Sequence, residues 1–467
     1  MSRLILSLIL PAFLLLTTLS FGQKRVEHVL HSKVFEGDRK ITVCLPKGYE
    51  DENLYKFPVA YLFDGQFEPY LTMVSGITDY YSQSGFELEM IIVSVPSENR
   101  FAEFIPEPKA DSLTPTAYST KLTTFLAEEL FPFIDSAYSY RTTPLKIGIG
   151  HSLGATFLLN EAFRENSPFG AIIAASPNTT VPGMATMIPA FIETHPETTT
   201  FLFVTTGDAD ETEKMFLPTT LRIDSALSAQ KSKSLDWNFR KYDGATHVGT
   251  FPRTFNDGYL LLSARWNISP DDLARFKGLE GAPLEEEIRK CFKRKSILRK
   301  SEMLYSRRGL LSLQTIAAYA GDYATAYNIN TLSLLELEKD TINAQNKKVI
   351  KEDLMAKHGL YNFQAICANA REAFERKEYK LAADEYMRAF RTGVIVGTFV
   401  QRIDALDALV LAGNKEEAFR QIELLANTFG LQGSWTLTEN PVLMPLHNDR
   451  RWSKYVKILD ENLKETN

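Results

Sequence analysis

One short motif in the sequence has the residue types of a nucleophilic turn. Residues 150–154 read Gly-His-Ser-Leu-Gly, with an apolar run before them and a helical pattern after them. A tight turn from a strand into a helix lifts its serine above the sheet, and only small flanking residues avoid a clash there. The N-terminal dipole of the new helix points at the hydroxyl group. The motif predicts that Ser152 is a nucleophile; the alternative is a glycine-rich turn with an idle serine.

A serine nucleophile also needs a base, because its proton must be removed during attack. The chain has 7 histidines. His247 lies in a loop after the apolar pattern at 237–242, where a strand-based site of this kind needs its base. His151 belongs to the turn itself, and His195 precedes a proline at the end of a helical pattern. We expect His247 to be the base.

The third catalytic group should be an acid that follows the strand pattern at 201–205, because the expected chain order is serine, acid, histidine. Residues 207–211 read Gly-Asp-Ala-Asp-Glu and supply three candidates: Asp208, Asp210 and Glu211. A buried carboxylate there would fix the tautomer of His247 and stabilise its cation. The alternative is a plain acidic turn.

Acyl transfer also needs backbone N–H groups that hold the developing oxyanion, and one of them comes from the residue after the serine. This residue is Leu153. The second donor is expected in the loop after the strand pattern at 59–63, where Asp64 and Gly65 precede Gln66. Gly65 lets the backbone turn toward the site, so we expect the N–H of Gln66 to be the second donor.

The elements that must position these residues are short apolar runs separated by amphipathic stretches. An antiparallel hairpin is predicted over 29–45, and runs at 59–63, 90–95, 145–149, 171–175 and 201–205 are typical of a buried parallel sheet. Helical patterns at 117–137, 153–164 and 213–229 lie between these strands. The order predicts an α/β fold, a mainly parallel sheet with helices on both faces, over residues 23–275.

After about residue 270 helical periodicity replaces the alternation of strand and helix patterns. This change predicts a second, all-α domain over residues 285–467. Similar small-residue segments begin at Ala320, Arg376 and Ala412, and the second and third are close to one helix-hairpin repeat apart. The first lies further upstream, which requires an insertion within 340–359. We interpret the region as a degenerate tetratricopeptide-like array; the alternative is an ordinary helical bundle.

Four segments of the first region resemble the esterases grouped with esterase D, feruloyl esterases and enterochelin-type esterases: 58–66, 99–106, 132–138 and 148–154. The resemblance implies an α/β-hydrolase sandwich, a serine esterase activity on a small-molecule ester and no cofactor or metal. It favours Asp210 as the acid. It matches Arg100 to an arginine near the acyl or catechol pocket of some relatives, which would bind an anionic substrate group or pair with an acid. Such esterases often end in a tetratricopeptide-like tail.

Composition and the N-terminus indicate an exported protein. The formal net charge is −6 and no long basic run occurs, which argues against nucleic-acid binding. Residues 1–22 have a positive start, an apolar run and a small-residue exit, and we expect a signal peptide cleaved before Gln23. The expected location is periplasmic or extracellular, with no membrane span after cleavage. Three widely spaced cysteines predict neither an essential disulfide nor a zinc site.

The sequence predicts a serine hydrolase that cleaves carboxylic esters through an acyl-enzyme intermediate. One alternative is a catalytically idle hydrolase fold that serves as a binding platform, with the helical tail contacting a protein or peptide. Another keeps the nucleophile but makes the enzyme a peptidase or a thioesterase. The helical tail could also cover the site or mediate self-association.

Overall fold

The computed structural model describes most of the chain as two compact units. The described residues are 23–50, 56–82, 88–105, 120–164, 166–194, 200–229, 235–300, 302–394, 399–429 and 431–464. The first unit extends to Asn267 and includes Ser296–Ser301, and the second comprises Ile268–Lys295 and the chain from Glu302 onward. The proposed signal peptide and His195 lie outside the described residues.

A single sheet of eight strands forms the centre of the first unit, within the residues that the structure describes. The strands are Lys24–Ser32 (β1), Gly37–Leu45 (β2), Phe57–Phe63 (β3), Ile91–Val95 (β4), Thr142–His151 (β5), Phe169–Ala175 (β6), Phe201–Thr206 (β7) and Asp236–Lys241 (β8). Their order across the sheet is β1-β2-β4-β3-β5-β6-β7-β8. β1 and β2 form the antiparallel hairpin, β2 pairs antiparallel with β4, and β3 to β8 are mutually parallel.

The central strands are mostly apolar, and they are buried along their whole length because both faces of the sheet are covered. Every residue of β3, β4, β6 and β7 is buried, as expected for parallel strands with helices on both sides. The helices of this unit are Glu68–Ser82 (α1), Arg100–Phe104 (α2), Thr120–Phe125 (α3), Phe131–Ala137 (α4), Leu153–Ala162 (α5), Met184–Thr194 (α6), Glu211–Ala229 (α7) and His247–Trp266 (α8). The predicted α/β architecture is confirmed.

Two hydrophobic clusters lie on the two faces of the sheet. Alternate residues of β3 divide between them: Tyr61 and Phe63 pack with residues of α3 to α7, and Ala60 and Leu62 pack with α1 and α8. This alternation follows from the period of two along a strand. Because β3 to β8 are parallel, their carboxyl ends lie at one edge of the sheet. The loops at this edge carry the predicted site residues.

The secondary structure assigned after Asn267 consists of helices alone within the described residues. Its helices are Pro270–Phe276 (α9), Gly281–Arg299 (α10), Arg307–Tyr319 (α11), Tyr323–Lys339 (α12), Ala344–Glu375 (α13), Tyr379–Phe390 (α14), Phe399–Leu411 (α15), Lys415–Asn427 (α16), Trp435–Thr438 (α17) and Arg450–Lys464 (α18). The second unit starts before the predicted border because Leu273 and Phe276 pack with Leu284 and Ile288 of α10. The all-α character predicted for this region is confirmed.

The three small-residue segments coincide with three helix hairpins, α11–α12, α13–α14 and α15–α16. Each turn contains one residue at positive φ, namely Gly321 at 78°, Lys377 at 62° and Gly413 at 79°. In each turn the N–H of this residue and that of the next residue bond to carbonyl groups of the preceding helix in the same pattern. Most of the range 340–359, where the repeat interpretation requires an insertion, lies in α13, a helix of 32 residues.

Three general features of the described residues bear on function. No helix among them is long and apolar enough to cross a membrane. No group of histidine, cysteine, aspartate or glutamate side chains in this part of the chain is arranged to hold a metal ion. Cys44, Cys291 and Cys367 are buried free thiols, and Cys44 packs in the core.

Candidate active site

Ser152 occupies the turn between β5 and α5, and its backbone is strained. Its φ of 56° and ψ of −120° lie in a region that residues with a side chain rarely adopt. The turn is fixed from both sides: Ser152 donates its N–H to the carbonyl of Ala175 at 2.9 Å, and its own carbonyl accepts the N–H of Thr156 at 2.9 Å. Stored strain of this kind is typical of functional turns and holds the hydroxyl at the edge of the sheet.

The glycines that flank Ser152 are required by close backbone approach. A Cβ at Gly150 would lie 2.7 Å from the carbonyl carbon of Gly154, and a Cβ at Gly154 would lie 3.1 Å from Oδ2 of Asp64. The turn at Gly150–Gly154, called the elbow below, therefore packs directly against the loop after β3. This loop is the one expected to supply the second oxyanion donor.

The loop after β3 is bound to β4 through Gly65 and to the segment after β4 through Gln66. The N–H of Gly65 bonds to the carbonyl of Val95 at 3.1 Å, and a Cβ at Gly65 would lie 2.1 Å from Oγ of Ser94. The side chain of Gln66 accepts the N–H of Ser97 at 2.9 Å. Among the described residues no acceptor takes the backbone N–H of Gln66, and the N–H of Leu153 opens α5, where a helix has no internal partner for it.

Arg100 pairs with Asp64, the first residue of this loop. Its Nε and Nη2 atoms lie 2.5 Å and 2.8 Å from the two carboxylate oxygens of Asp64. The carboxylate is fully buried, whereas 29% of the Arg100 side chain is exposed. Burial raises the pKa of Asp64, and the hydrogen bond from Arg100 opposes that rise. Of the two roles that the sequence left open for Arg100, the structure shows the acid pairing.

A second buried ion pair, which the sequence did not indicate, supports the segment that carries Arg100. Arg39 on β2 binds both carboxylate oxygens of Glu103 on α2, at 3.1 Å and 3.2 Å. Glu103 also accepts the backbone N–H groups of Glu98 and Asn99. The pair is almost fully buried and therefore holds the loop that leads into α2 in one position.

His247 is the first residue of α8, and its ring is bound by Glu213. Nδ1 of His247 lies 2.6 Å from Oε1 of Glu213, whose side chain is fully buried. The other oxygen of Glu213 accepts the N–H of Gly207 and the hydroxyl of Thr206 at 2.9 Å. Burial alone would raise the pKa of Glu213, but these hydrogen bonds and the one from His247 bring it below its ordinary value. A charged carboxylate thus faces the ring.

The acid expected at Asp210 has a different partner from the predicted one. Oδ2 of Asp210 accepts the backbone N–H of His247 at 2.6 Å, and Oδ1 accepts the backbone N–H of Glu213 at 2.9 Å. Asp210 therefore binds the main chain of the base instead of its ring. The reason is local: Asp210 precedes α7 and its carboxylate takes the free N–H groups at that helix start.

The other two acid candidates also lie away from the ring. Asp208 binds the N–H of Gly244 at 2.7 Å and the ammonium group of Lys241 at 2.8 Å. Glu211 is exposed and pairs with Lys214. The acidic candidates within 207–211 end two residues before Glu213. The spacing Asp210-x-x-Glu213 is a capping pattern that could have indicated a helix start at this point.

His151 connects the elbow to the base. Its ring centroid lies 4.5 Å from that of His247, and its Nε2 lies 2.9 Å from the carbonyl oxygen of His247. The structure thereby brings His247 beside the residue next to Ser152. No hydrogen bond between the Ser152 hydroxyl and His247 is present among the described contacts; such bonds are often long in ligand-free sites and tighten when substrate binds.

The sheet order, the strained serine at a strand-to-helix elbow and the histidine after the last strand define the α/β-hydrolase class. Residues 32–247 match the model of the family described as "Putative esterase". This part of the chain is therefore similar to that esterase family, and the similarity supports ester hydrolysis as the general reaction. No match was found among curated proteins.

Solved structures share the same fold. An IroE-like serine hydrolase from Shewanella oneidensis is 18% identical with a TM-score of 0.51, over 66% of this chain and 99% of that chain. An uncharacterised protein from Capnocytophaga ochracea is 14% identical with a TM-score of 0.54, over 79% of this chain and 94% of that chain. At this identity the likeness concerns the fold, and the chemistry must be argued from the site.

Proposed function

We propose that the protein is a serine esterase in which Ser152 is the nucleophile, His247 the base and Glu213 the acid that orients the base. The observation that carries the proposal is the fixed, strained position of Ser152 next to the segment that contacts His247. Glu213 takes the place first expected for Asp210, because its carboxylate binds the ring nitrogen. This order of groups is that of a serine triad.

In the proposed reaction, His247 accepts the Ser152 proton while the hydroxyl oxygen attacks the ester carbonyl carbon. The tetrahedral oxyanion is held by the N–H groups of Leu153 and Gln66, and its collapse expels the alcohol, which takes the proton from His247. Water, deprotonated by the same histidine, then attacks the acyl-enzyme and releases the acid. The charge of Glu213 stabilises the imidazolium form in both steps.

Substrate contacts are proposed at Arg100. Part of the Arg100 side chain remains exposed beside the loop that carries Gln66, although two of its nitrogen atoms bind Asp64. An anionic or strongly polar group of a small-molecule ester would find a cation there. The pair with Asp64 would hold this cation in a fixed position.

A fluorophosphonate probe tests the nucleophile directly. The full-length protein should be labelled, the Ser152→Ala variant should not, and only the unsubstituted protein should hydrolyse p-nitrophenyl acetate. Comparison of matched ester, thioester and amide substrates separates an esterase from a thioesterase or a peptidase. A folded protein that neither reacts with the probe nor hydrolyses any of these substrates would instead support the binding-platform alternative.

We also propose that the helical unit is a tetratricopeptide-like array. Separately, we propose that the protein is exported. The three hairpins with the same turn geometry support a repeat array, which would present a surface to a protein or peptide. The apolar N-terminal segment supports export to the periplasm or the medium. N-terminal sequencing of the secreted protein tests cleavage before Gln23.

A further inference from the structure

His151 has no task in the proposed acyl transfer, yet it is built into the site. The side chain is 3% exposed, and both of its ring nitrogens have partners. Nε2 lies 2.9 Å from the carbonyl oxygen of His247, and Nδ1 lies 2.8 Å from the hydroxyl of Tyr70 on α1. Three segments of the site therefore meet at one imidazole ring.

The partners of His151 define its tautomer. A carbonyl oxygen can only accept a hydrogen bond, so Nε2 must carry a proton. Burial and the neighbouring ring of His247 lower the pKa of His151 to about 4, so the ring is neutral at ordinary pH. Nδ1 then has a lone pair and accepts the proton of the Tyr70 hydroxyl. Burial raises the pKa of Tyr70, which keeps that proton in place.

We propose that His151 is a positioning residue for His247, held in its Nε2–H tautomer by Tyr70. It constrains the base twice, through the hydrogen bond to the His247 carbonyl and through contact between the two tilted rings, whose planes are 40° apart. This inference rests on the proposed role of His247 as base. Because Tyr70 lies on the helix after the Gln66 loop, the same contacts couple the oxyanion loop to the base.

A neutral His151 ring favours the proton transfer to His247. His247 gains a positive charge when it accepts the serine proton, and a second charged ring at 4.5 Å would oppose that step. The other charged groups near His151 are Arg100, which disfavours a charged His151, and Glu213, which favours it. A neutral donor orients the base without competing for the charge of Glu213.

The tautomer is directly measurable in the full-length protein. With ¹⁵N-labelled histidine, long-range ¹H–¹⁵N spectra distinguish an Nε2–H ring from an Nδ1–H ring, and the His151→Gln variant assigns the signal. We expect an Nε2–H pattern for His151 that does not titrate between pH 5.5 and 8. An Nδ1–H pattern, or protonation within that range, would overturn the proposal whether or not the protein is an esterase.

Kinetics test the positioning role. His151→Phe keeps a ring but removes both hydrogen bonds, whereas His151→Gln retains an N–H that can reach the His247 carbonyl. We expect the phenylalanine variant to lose about 10- to 100-fold in kcat and in the rate of fluorophosphonate labelling, with KM little changed. The glutamine variant should recover most of that loss. Equal rates in all three proteins, or equal losses in both variants, would contradict the proposal.

Tyr70→Phe provides a second test that does not alter the elbow. It removes the hydroxyl bound to Nδ1 of His151 and should lower kcat several-fold while weakening the Nε2–H signal. Tyr81→Phe is the matched control, since it removes a hydroxyl on the same helix that bonds to Asn256. A Tyr70→Phe variant with unchanged kcat and an unchanged spectrum would show that Tyr70 does not fix the tautomer. Loss of the probe reaction in the unsubstituted protein would refute the esterase proposal separately.

Discussion

Glu213 binds Nδ1 of His247 at 2.6 Å from within the first turn of α7. Its carboxylate is fully buried and is also satisfied by the N–H of Gly207 and the hydroxyl of Thr206. A buried acceptor with several donors keeps its charge and its orientation. This geometry makes Glu213 the group that fixes the tautomer of the proposed base, with Nε2 left to accept the serine proton.

Replacing Glu213 with glutamine should reduce esterase activity severely. The neutral amide cannot stabilise the His247 cation and can favour the wrong tautomer, so kcat should fall about 10³- to 10⁴-fold. Glu211→Gln is the matched control, because Glu211 is exposed and binds only Lys214 among the described contacts. Its kcat should stay within about twofold of the unsubstituted protein. Similar activities for the two variants would remove Glu213 from the proposed triad.

Replacing Asp210 with asparagine should have an intermediate effect. Asp210 bridges the backbone N–H groups of His247 and Glu213, and an amide can accept only one of them with its oxygen. We expect kcat to fall about 10- to 100-fold through misplacement of the base, with KM little changed. Asp208→Asn, in the same turn, should change kcat less than threefold. A loss for Asp210→Asn as large as that for Glu213→Gln would contradict the division of roles.

The positions of Ser152 and His247 could be predicted from the sequence better than the partner of the His247 ring, for a physical reason. Glycine spacing and strand order determine where an elbow serine and a histidine after the last strand must lie, and the structure places Ser152 and His247 there. The acid depends on where α7 begins, since a helix start turns a residue on its first turn back toward the sheet edge. Asp210 takes the capping position and Glu213 takes the ring, a distinction that residue types alone could not make.

The pair of Arg100 and Asp64 predicts a pH-dependent loss of stability. Arg100→Met leaves a buried carboxylate without its cation, which should cost about 3 kcal/mol at pH 7. Burial already raises the pKa of Asp64, and the substitution should raise it further. A raised folded-state pKa gives stability that is present below pH 4 and lost as the pH rises, so the deficit of the variant should grow from pH 4 to pH 7.

Thermal unfolding of the full chain at several pH values measures this deficit. Arg265→Met is the control, because the pair of Arg265 and Asp236 is largely exposed and should contribute at most about 1 kcal/mol. Its effect should be small at every pH from 4 to 7. An Arg100→Met deficit that is equally small, or that shrinks toward pH 7, would show that Asp64 does not depend on Arg100.

The helical unit offers a test of its repeat geometry at Lys377. Gly321, Lys377 and Gly413 occupy the same position in three equivalent turns with φ of 78°, 62° and 79°, and only Lys377 has a Cβ there. A residue with a side chain is strained in this left-handed conformation, whereas glycine is not. Lys377→Gly should therefore stabilise the protein by about 1 kcal/mol, or roughly 2–4 °C in the melting of this unit.

Two further variants separate backbone strain from charge. Lys377→Ala removes the ammonium group but keeps the Cβ, so its melting temperature should stay close to that of the unsubstituted protein. Gly413→Ala introduces the same strain in the third turn and should destabilise by about 1 kcal/mol or more. Calorimetry of the full chain measures all three variants. If Lys377→Gly and Lys377→Ala shift the melting temperature equally, charge and not φ governs this turn, and the three turns are not equivalent.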